Sequence, residues 1–304
     1  MKPFQKEEIS GGCPVCQGRK LQRYQNAKQD RTPTGYSITE ASYGVSGALV
    51  RCLGCGVIFV SPFPSAESLK SLYERMKDEI YLGEEGIRRR MAERGLLFIE
   101  KYAKKGRLLD VGCFSGIFLD AAQKRGWEVM GIEPSSWARK VAQERFALQV
   151  LGGTLKEASL PSGSFDAVSL IDILEHLPDP YETLVETQRI LKEGGILYLI
   201  TPNIGSFARC LLGDRWWGFR REHIVYFSQK SLRFLLQRVG FNILSQRSFQ
   251  HVFTFEAALR RVKGVTPLIY PVAQPLIRFF RLGERSFRVN FYDQIELVAR
   301  KEKE

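Results

Sequence analysis

Four of the six cysteines stand in two short pairs, Cys13-Pro14-Val15-Cys16 and Cys52-Leu53-Gly54-Cys55, with 35 residues between them. Thiolates are soft ligands, and two facing Cys-x-x-Cys knuckles supply the four sulfurs of a tetrahedral zinc site. Such a shell leaves no open position for substrate. Cys13, Cys16, Cys52 and Cys55 therefore predict a structural zinc ion in a small ribbon. Cys113 and Cys210 are isolated and read as packed thiols. The chain has only three histidines, His176, His223 and His251. An imidazole, with an ordinary pKa of about 6.5, can take up a proton at neutral pH. His176 and His223 are the candidate proton acceptors, whereas His251 is expected to face solvent.

A second constellation suits a nucleoside cofactor. The run Leu108-Leu109-Asp110-Val111-Gly112-Cys113-Phe114-Ser115-Gly116 is an apolar strand that opens into a glycine-containing turn. Such turns let backbone approach a ligand at the carboxyl end of a parallel strand. Glu133 follows Gly112 by 21 residues, at the end of the next apolar run. An acid there is placed to accept hydrogen bonds from ribose hydroxyls. A dinucleotide would use the same features, but an acid two residues before the first glycine favours a different cofactor.

These groups need a scaffold, and the hydrophobic pattern supplies one. Strands are expected over 107–111, 128–132, 149–151, 165–171 and 196–201. Helices fit between them, one over 180–192 with Asp179 as N-cap, Pro180 in the first turn and Gly194 at its exit. After residue 227 come a helix capped by Ser228 and stopped by Gly240, then strands over 241–249 and 289–300. The alternation predicts an α/β fold, a doubly wound, seven-stranded Rossmann-like sheet. Short β runs over 48–51 and 57–60 belong to the cysteine ribbon, which Ser61-Pro62-Phe63-Pro64 closes. The expected organisation is a ribbon over 1–62, a helical connector over 63–105 with helices at 66–80 and 84–104, and a main domain over 106–304.

Composition bounds the rest. Of 304 residues, 44% are hydrophobic and 26% charged, which excludes a disordered or fibrous chain. No apolar run reaches the roughly 18 to 20 residues that span a bilayer. The first eight residues lack the apolar core of a signal peptide, so a cytoplasmic location is expected. The formal net charge is +12. Residues 1–105 carry 18 basic and 12 acidic side chains, 106–204 carry 9 and 13, and 205–304 carry 18 and 8. The last third presents most of the positive field, suited to a phosphate-bearing partner.

The run from Asp110 to Gly116, then Gly131-Ile132-Glu133-Pro134-Ser135, Ser164-Phe165-Asp166-Ala167-Val168, Leu174-Glu175-His176-Leu177 and Leu191-Lys192-Glu193-Gly194-Gly195, resembles class I S-adenosylmethionine-dependent methyltransferases over about residues 85–250. The resemblance implies that Asp110 and the Gly112–Gly116 turn hold the methionine end of the cofactor and Glu133 the ribose. Thr154 and Leu155 would flank the adenine, with Cys113, Phe114, Pro134 and Asp172 lining the same site. Where the family has glycine, this chain has Phe114.

A four-cysteine ribbon ahead of this fold, with Glu222-His223 and then Tyr226-Phe227-Ser228, is similar to the zinc-containing methyltransferases of deoxysugar and surface-polysaccharide pathways. That resemblance implies a Glu222–His223 pair as proton acceptor, His176 beside the transferring methyl, and a tyrosine matched by Tyr73 or Tyr81, with Tyr81 taken as the candidate. The expected function is methyl transfer to a hydroxyl or carbon of a carbohydrate-type acceptor such as a nucleotide sugar. The alternative is an RNA methyltransferase that recognises its substrate through the ribbon. The segment 250–288, apolar and flanked by arginines, suits peripheral contact with an anionic membrane, a lid or a dimer contact. Its Pro267, Pro271 and Pro275 exclude a long straight helix.

Overall fold

A computed structural model describes residues 12–27, 46–64, 67, 69, 73–74, 77–255, 259, 270–279, 283 and 285–302 of the chain. The cysteine knuckles are joined by three antiparallel strands, β1 (Leu21–Gln25), β2 (Leu49–Cys52) and β3 (Ile58–Val60). Leu49, Cys52, Val57 and Ile58 are fully buried and give this small unit its core. Two helices follow, α1 (Glu79–Gly83) and α2 (Glu85–Ile99). The helix expected over 84–104 thus ends at Ile99, and the one expected over 66–80 falls partly outside the described residues, which lack 66, 68, 70–72 and 75–76.

The main domain alternates β4 (Arg107–Val111), α3 (Ile117–Lys124), β5 (Glu128–Glu133), α4 (Ser136–Phe146), β6 (Val150–Gly152), β7 (Phe165–Ile171), α5 (Pro180–Ile190) and β8 (Leu191–Pro202). Then come α6 (Phe207–Leu212), β9 (Val225–Tyr226), α7 (Gln229–Arg238), β10 (Phe241–Ser248), β11 (His251–Thr254), α8 (Tyr270–Phe279), β12 (Ser286–Val289) and β13 (Gln294–Lys301). Seven strands form one sheet in the order β10-β13-β8-β7-β4-β5-β6. β13 runs antiparallel to both of its neighbours, β10 and β8, and all other pairs are parallel. The strand order reverses between β4 and β7, and such a switch point opens a crevice at the carboxyl ends of the strands. Asp110, Gly112 and Asp172 lie there.

Successive side chains on a strand point to opposite faces, and the core divides accordingly. Leu108, Ala167, Tyr198 and Val298 pack on one face against Leu96 and Ile99 of α2 and Phe118 and Ala122 of α3. Leu109, Val168, Leu197 and Leu297 pack on the other with Leu184 of α5, Leu232 and Leu236 of α7, and the ribbon's Leu49 and Phe59.

Three departures from the expected elements have local causes. Helix α5 keeps its Asp179 cap but stops at Ile190, because Leu191 takes an extended conformation and pairs with Phe165. Gly194 lies in β8 instead of ending the helix. The strand expected from 289 onward is two strands: β12 pairs with β11 as a separate ribbon, and β13 enters the main sheet. Inside the insertion α8 is a single ten-residue helix with Pro275 in its interior. Residues 260–269, with Pro267, Arg260, Arg261 and Lys263, lie outside the described residues. Among the described residues no helix is long and apolar enough to cross a membrane.

The small ribbon is not self-contained. Its outer strand β3 is extended by β9 of the main domain, Ile58 pairing with Tyr226 and Phe59 with Val225. The Val60 N–H donates to the Ile224 carbonyl at 2.9 Å.

Candidate active site

Asp110 is the penultimate residue of β4, and its carboxylate is buried and accepts the Ser169 hydroxyl at 2.7 Å from the neighbouring β7. Burial pushes Asp110 up to about 7, against the pull of the Ser169 bond, and the nearby Glu133 charge adds to the rise. The turn that follows needs Gly112: its φ is +72°, and a Cβ there would collide with the side chain of Ile173. Glu133 closes the turn from the end of β5. One of its oxygens accepts the Phe114 N–H at 2.9 Å and the other the Ser135 N–H at 2.8 Å. Burial raises its pKa as well, with those two N–H groups opposing the rise.

Phe114 holds a left-handed φ of +46°. Its ring packs edge-on to Tyr81 at 4.5 Å between centroids and is tilted against Trp137 at 5.8 Å. Tyr81 is in turn covered by the Arg88 guanidinium. Cys113 is buried, and burial raises its thiol far above the ordinary range, so it packs and does not react. Pro134 contributes its carbonyl to Arg139 at 2.8 Å. Thr154 is exposed and caps a turn with Glu157, while Leu155 is buried beneath it. Asp172, in the left-handed region at φ +52°, accepts the Gln294 side-chain amide at 2.9 Å. The carboxylate keeps contact with solvent, yet the protein packed around it pushes it up to about 6, with His251 and Arg220 pulling the other way.

The second wall of the crevice is built from two histidines. A single 3-10 turn after β7, Leu174–His176, delivers Glu175 and His176, and the loop before β9 delivers His223. The two imidazole rings meet edge to face with centroids 4.8 Å apart. The Nδ1 of His176 lies 2.9 Å from the Glu222 carbonyl and that of His223 lies 2.9 Å from the Gly218 carbonyl. A carbonyl only accepts, so each Nδ1 carries the hydrogen and each Nε2 keeps its lone pair. Burial lowers both imidazoles: His176 to about 4, and His223 well below the usual imidazole range, with the Arg220 charge adding to burial.

Some expected roles change. The expected Glu222–His223 pair is not a contact between the two side chains: the Glu222 carboxylate is ion-paired to Arg220 at 2.7 Å, and the Gly218 carbonyl orients His223. Tyr81 lies against Phe114, on the cofactor side. The tyrosine beside the histidines is Tyr73, edge-on to His176 at 5.8 Å. His251 does not simply face solvent; it is half-buried between Phe249 and Phe253 and bonds Asp293 at 3.2 Å. Cys210 is exposed, not packed. Ser169, Ser135 and Glu175 were not singled out. Glu175 had a visible signal, its place beside His176 at a strand end.

In the ribbon the four cysteine sulfurs lie within 4.8 Å of one another. Cys13 and Cys55 approach to 3.5 Å, as do Cys16 and Cys52. A tetrahedron with bonds of about 2.3 Å places its sulfurs about 3.8 Å apart, so the cluster has the size and chemistry for zinc.

Residues 84–246 match the family described as "Methyltransferase domain". A ubiquinone biosynthesis O-methyltransferase of Paracidovorax citrulli (strain AAC00-1) is 37% identical over 107 residues, 32% of this chain and 44% of that protein. One from Ruegeria sp. (strain TM1040) is 30% identical over 155 residues, 47% of this chain and 63% of that protein. The matches thus span about half the length of these curated relatives. Among solved structures, a chain of the complex between the Haloferax volcanii Trm112 methyltransferase activator and a methyltransferase superposes with a TM-score of 0.54. It is 18% identical, over 73% of this chain and 92% of that one, and shows the same fold.

Proposed function

Since the chain belongs to the methyltransferase-domain family, we propose that it transfers the methyl group of S-adenosylmethionine to an oxygen of a small hydroxylated acceptor. The carrying observation is the pair of buried carboxylates, Asp110 and Glu133, at the carboxyl ends of adjacent parallel strands. Burial pushes both up in pKa. A cofactor with cationic centres and a ribose diol would relieve both. S-adenosylmethionine brings an electrophilic methyl on a good leaving group, so the protein has only to align the acceptor and manage a proton.

In this reading Asp110 and Gly112 hold the methionine end and Glu133 the ribose. Cys113, Phe114, Gly116, Pro134 and Asp172 shape the pocket, and Thr154 and Leu155 flank the adenine. The His176–His223 wall faces the acceptor. Cys13, Cys16, Cys52 and Cys55 hold a structural zinc ion that fixes the ribbon and, through β3 and β9, the loop carrying His223.

Relatives named as O-methyltransferases favour oxygen over carbon as the accepting atom. The engagement of Glu222 by Arg220 removes the paired carboxylate that abstraction from carbon would use. The four-cysteine ribbon beside the Glu222-His223 segment favours a carbohydrate-type acceptor, free or nucleotide-linked. The test is mass spectrometry after incubation with labelled S-adenosylmethionine and a panel of nucleotide sugars and dihydroxybenzoates. A nucleotide sugar should gain the labelled methyl. Label appearing only on dihydroxybenzoates would overturn the carbohydrate assignment, and label on neither would overturn the small-acceptor reading.

A further inference from the structure

Glu175 is 2% exposed, and its two carboxylate oxygens are treated very differently. Oε2 accepts the Thr201 hydroxyl at 2.9 Å, whereas Oε1 is buried with no hydrogen-bond partner. Leaving such an atom bare is costly. Asp172 sits close enough to add negative charge, and the nearby Arg220 is engaged by Glu222.

Two imidazoles complete the cluster. One ring nitrogen from each of His176 and His223 and one oxygen of Glu175 lie within 4.8 Å of one another. Both rings are held by Nδ1–H bonds to backbone carbonyls. Metal-binding histidines are commonly fixed in this way, the ring nitrogen opposite the ligating one donating to a carbonyl or carboxylate, which sets tautomer and orientation.

We propose that Glu175, His176 and His223 form a second metal site, separate from the four cysteines, that takes a divalent transition ion of the zinc class. Two imidazole nitrogens and one carboxylate oxygen suit such an ion, and three protein ligands leave one position open. The three ligand atoms are close enough to converge on one ion with bonds of about 2.0–2.2 Å. The site lies on the crevice wall assigned to the acceptor. Its open position facing an acceptor oxygen rests on the methyl-transfer reading, but ion binding itself does not.

The experiment uses the full chain and Co2+ as the probe. Thiolate-bound Co2+ gives an intense near-ultraviolet charge-transfer band, and a nitrogen and oxygen site gives weak visible bands without it. Titration should reach about two equivalents per chain. Glu175→Gln, which retains an oxygen for Thr201, and His223→Gln should each bind about one equivalent with the thiolate band intact. Circular dichroism identifies any variant that fails to fold, and His176→Gln then replaces it. A wild-type titration that stops at about one equivalent, with visible bands unchanged in Glu175→Gln, would overturn the site. No acceptor is needed for this measurement. Failure of the metal site therefore leaves the labelled-product test untouched, and the reverse also holds.

Discussion

The carboxylate of Glu133 accepts the backbone N–H of Phe114 at 2.9 Å, across a turn in which Phe114 holds a left-handed backbone. One side chain thus builds the turn from below and, in the proposed function, binds the ribose from the same oxygens. Glu133→Ala should cut S-adenosylmethionine affinity at least tenfold by calorimetry. It should also lower the melting temperature, because two buried N–H groups lose partners at about 1–3 kcal/mol each. Unchanged affinity would place the cofactor elsewhere.

Phe114→Gly sets two effects against each other. Relief of the left-handed backbone returns about 1–2 kcal/mol. Loss of the ring from between Tyr81 and Trp137 costs about 3–5 kcal/mol. Packing wins, so the variant should unfold at lower denaturant, by about 2 kcal/mol. A more stable variant would mean the ring is under strain.

Asp110 gives a pH dependence with a defined sign. Its folded pKa of about 7 lies above the unfolded value, so folding stability is lost as pH rises from about 4 to 7. Asp110→Asn should therefore stabilise the cofactor-free protein more at pH 8 than at pH 5. A cationic ligand favours the ionised form, so S-adenosylmethionine should bind more tightly as pH rises through about 7 and release a proton on binding. Calorimetry in two buffers of different ionisation enthalpy reads that proton directly; identical heats near pH 7 would refute it.

His223→Ala should lower turnover by about 10²–10⁴-fold while leaving cofactor affinity nearly unchanged. Steady-state rates together with a binding isotherm make the separation. Near-normal turnover in this variant and a large loss in His176→Ala would move the main role to His176.

Cys52→Ser should lose the ribbon's zinc, about one equivalent per chain by elemental analysis. Since β3 carries β9, the same variant should also lose amide-exchange protection at Val225 and Tyr226. Full protection there would uncouple the ribbon from the site.

Much of this was legible in the sequence. The bounds of β4 and β7, the cysteine knuckles, and the placement of Asp110 and Glu133 follow from continuous apolar runs and short-range spacing. What the pattern does not carry is pairing between distant, short segments. Strand β9 has two residues and no periodicity of its own, and nothing near it signals that β3 is its neighbour. The contacts of His251 depend on Asp293, 42 positions later, across an insertion. Glu175 looked like part of a family motif, and only its one unpartnered oxygen marks it as more.

The pairing of residues 58–59 with 225–226 also bears on how the chain acquires its shape. During synthesis the ribbon leaves the ribosome before the main domain, with the outer edge of β3 open. That edge stays unmatched until the segment around Val225 emerges, more than 160 positions later by the numbering of the paired residues. An open strand edge is a template for wrong partners, and closing so long a loop is slow compared with local contacts. The crevice wall carrying His223 is consequently organised after the ribbon, and crowding of nascent chains should trap this protein through the open edge of β3.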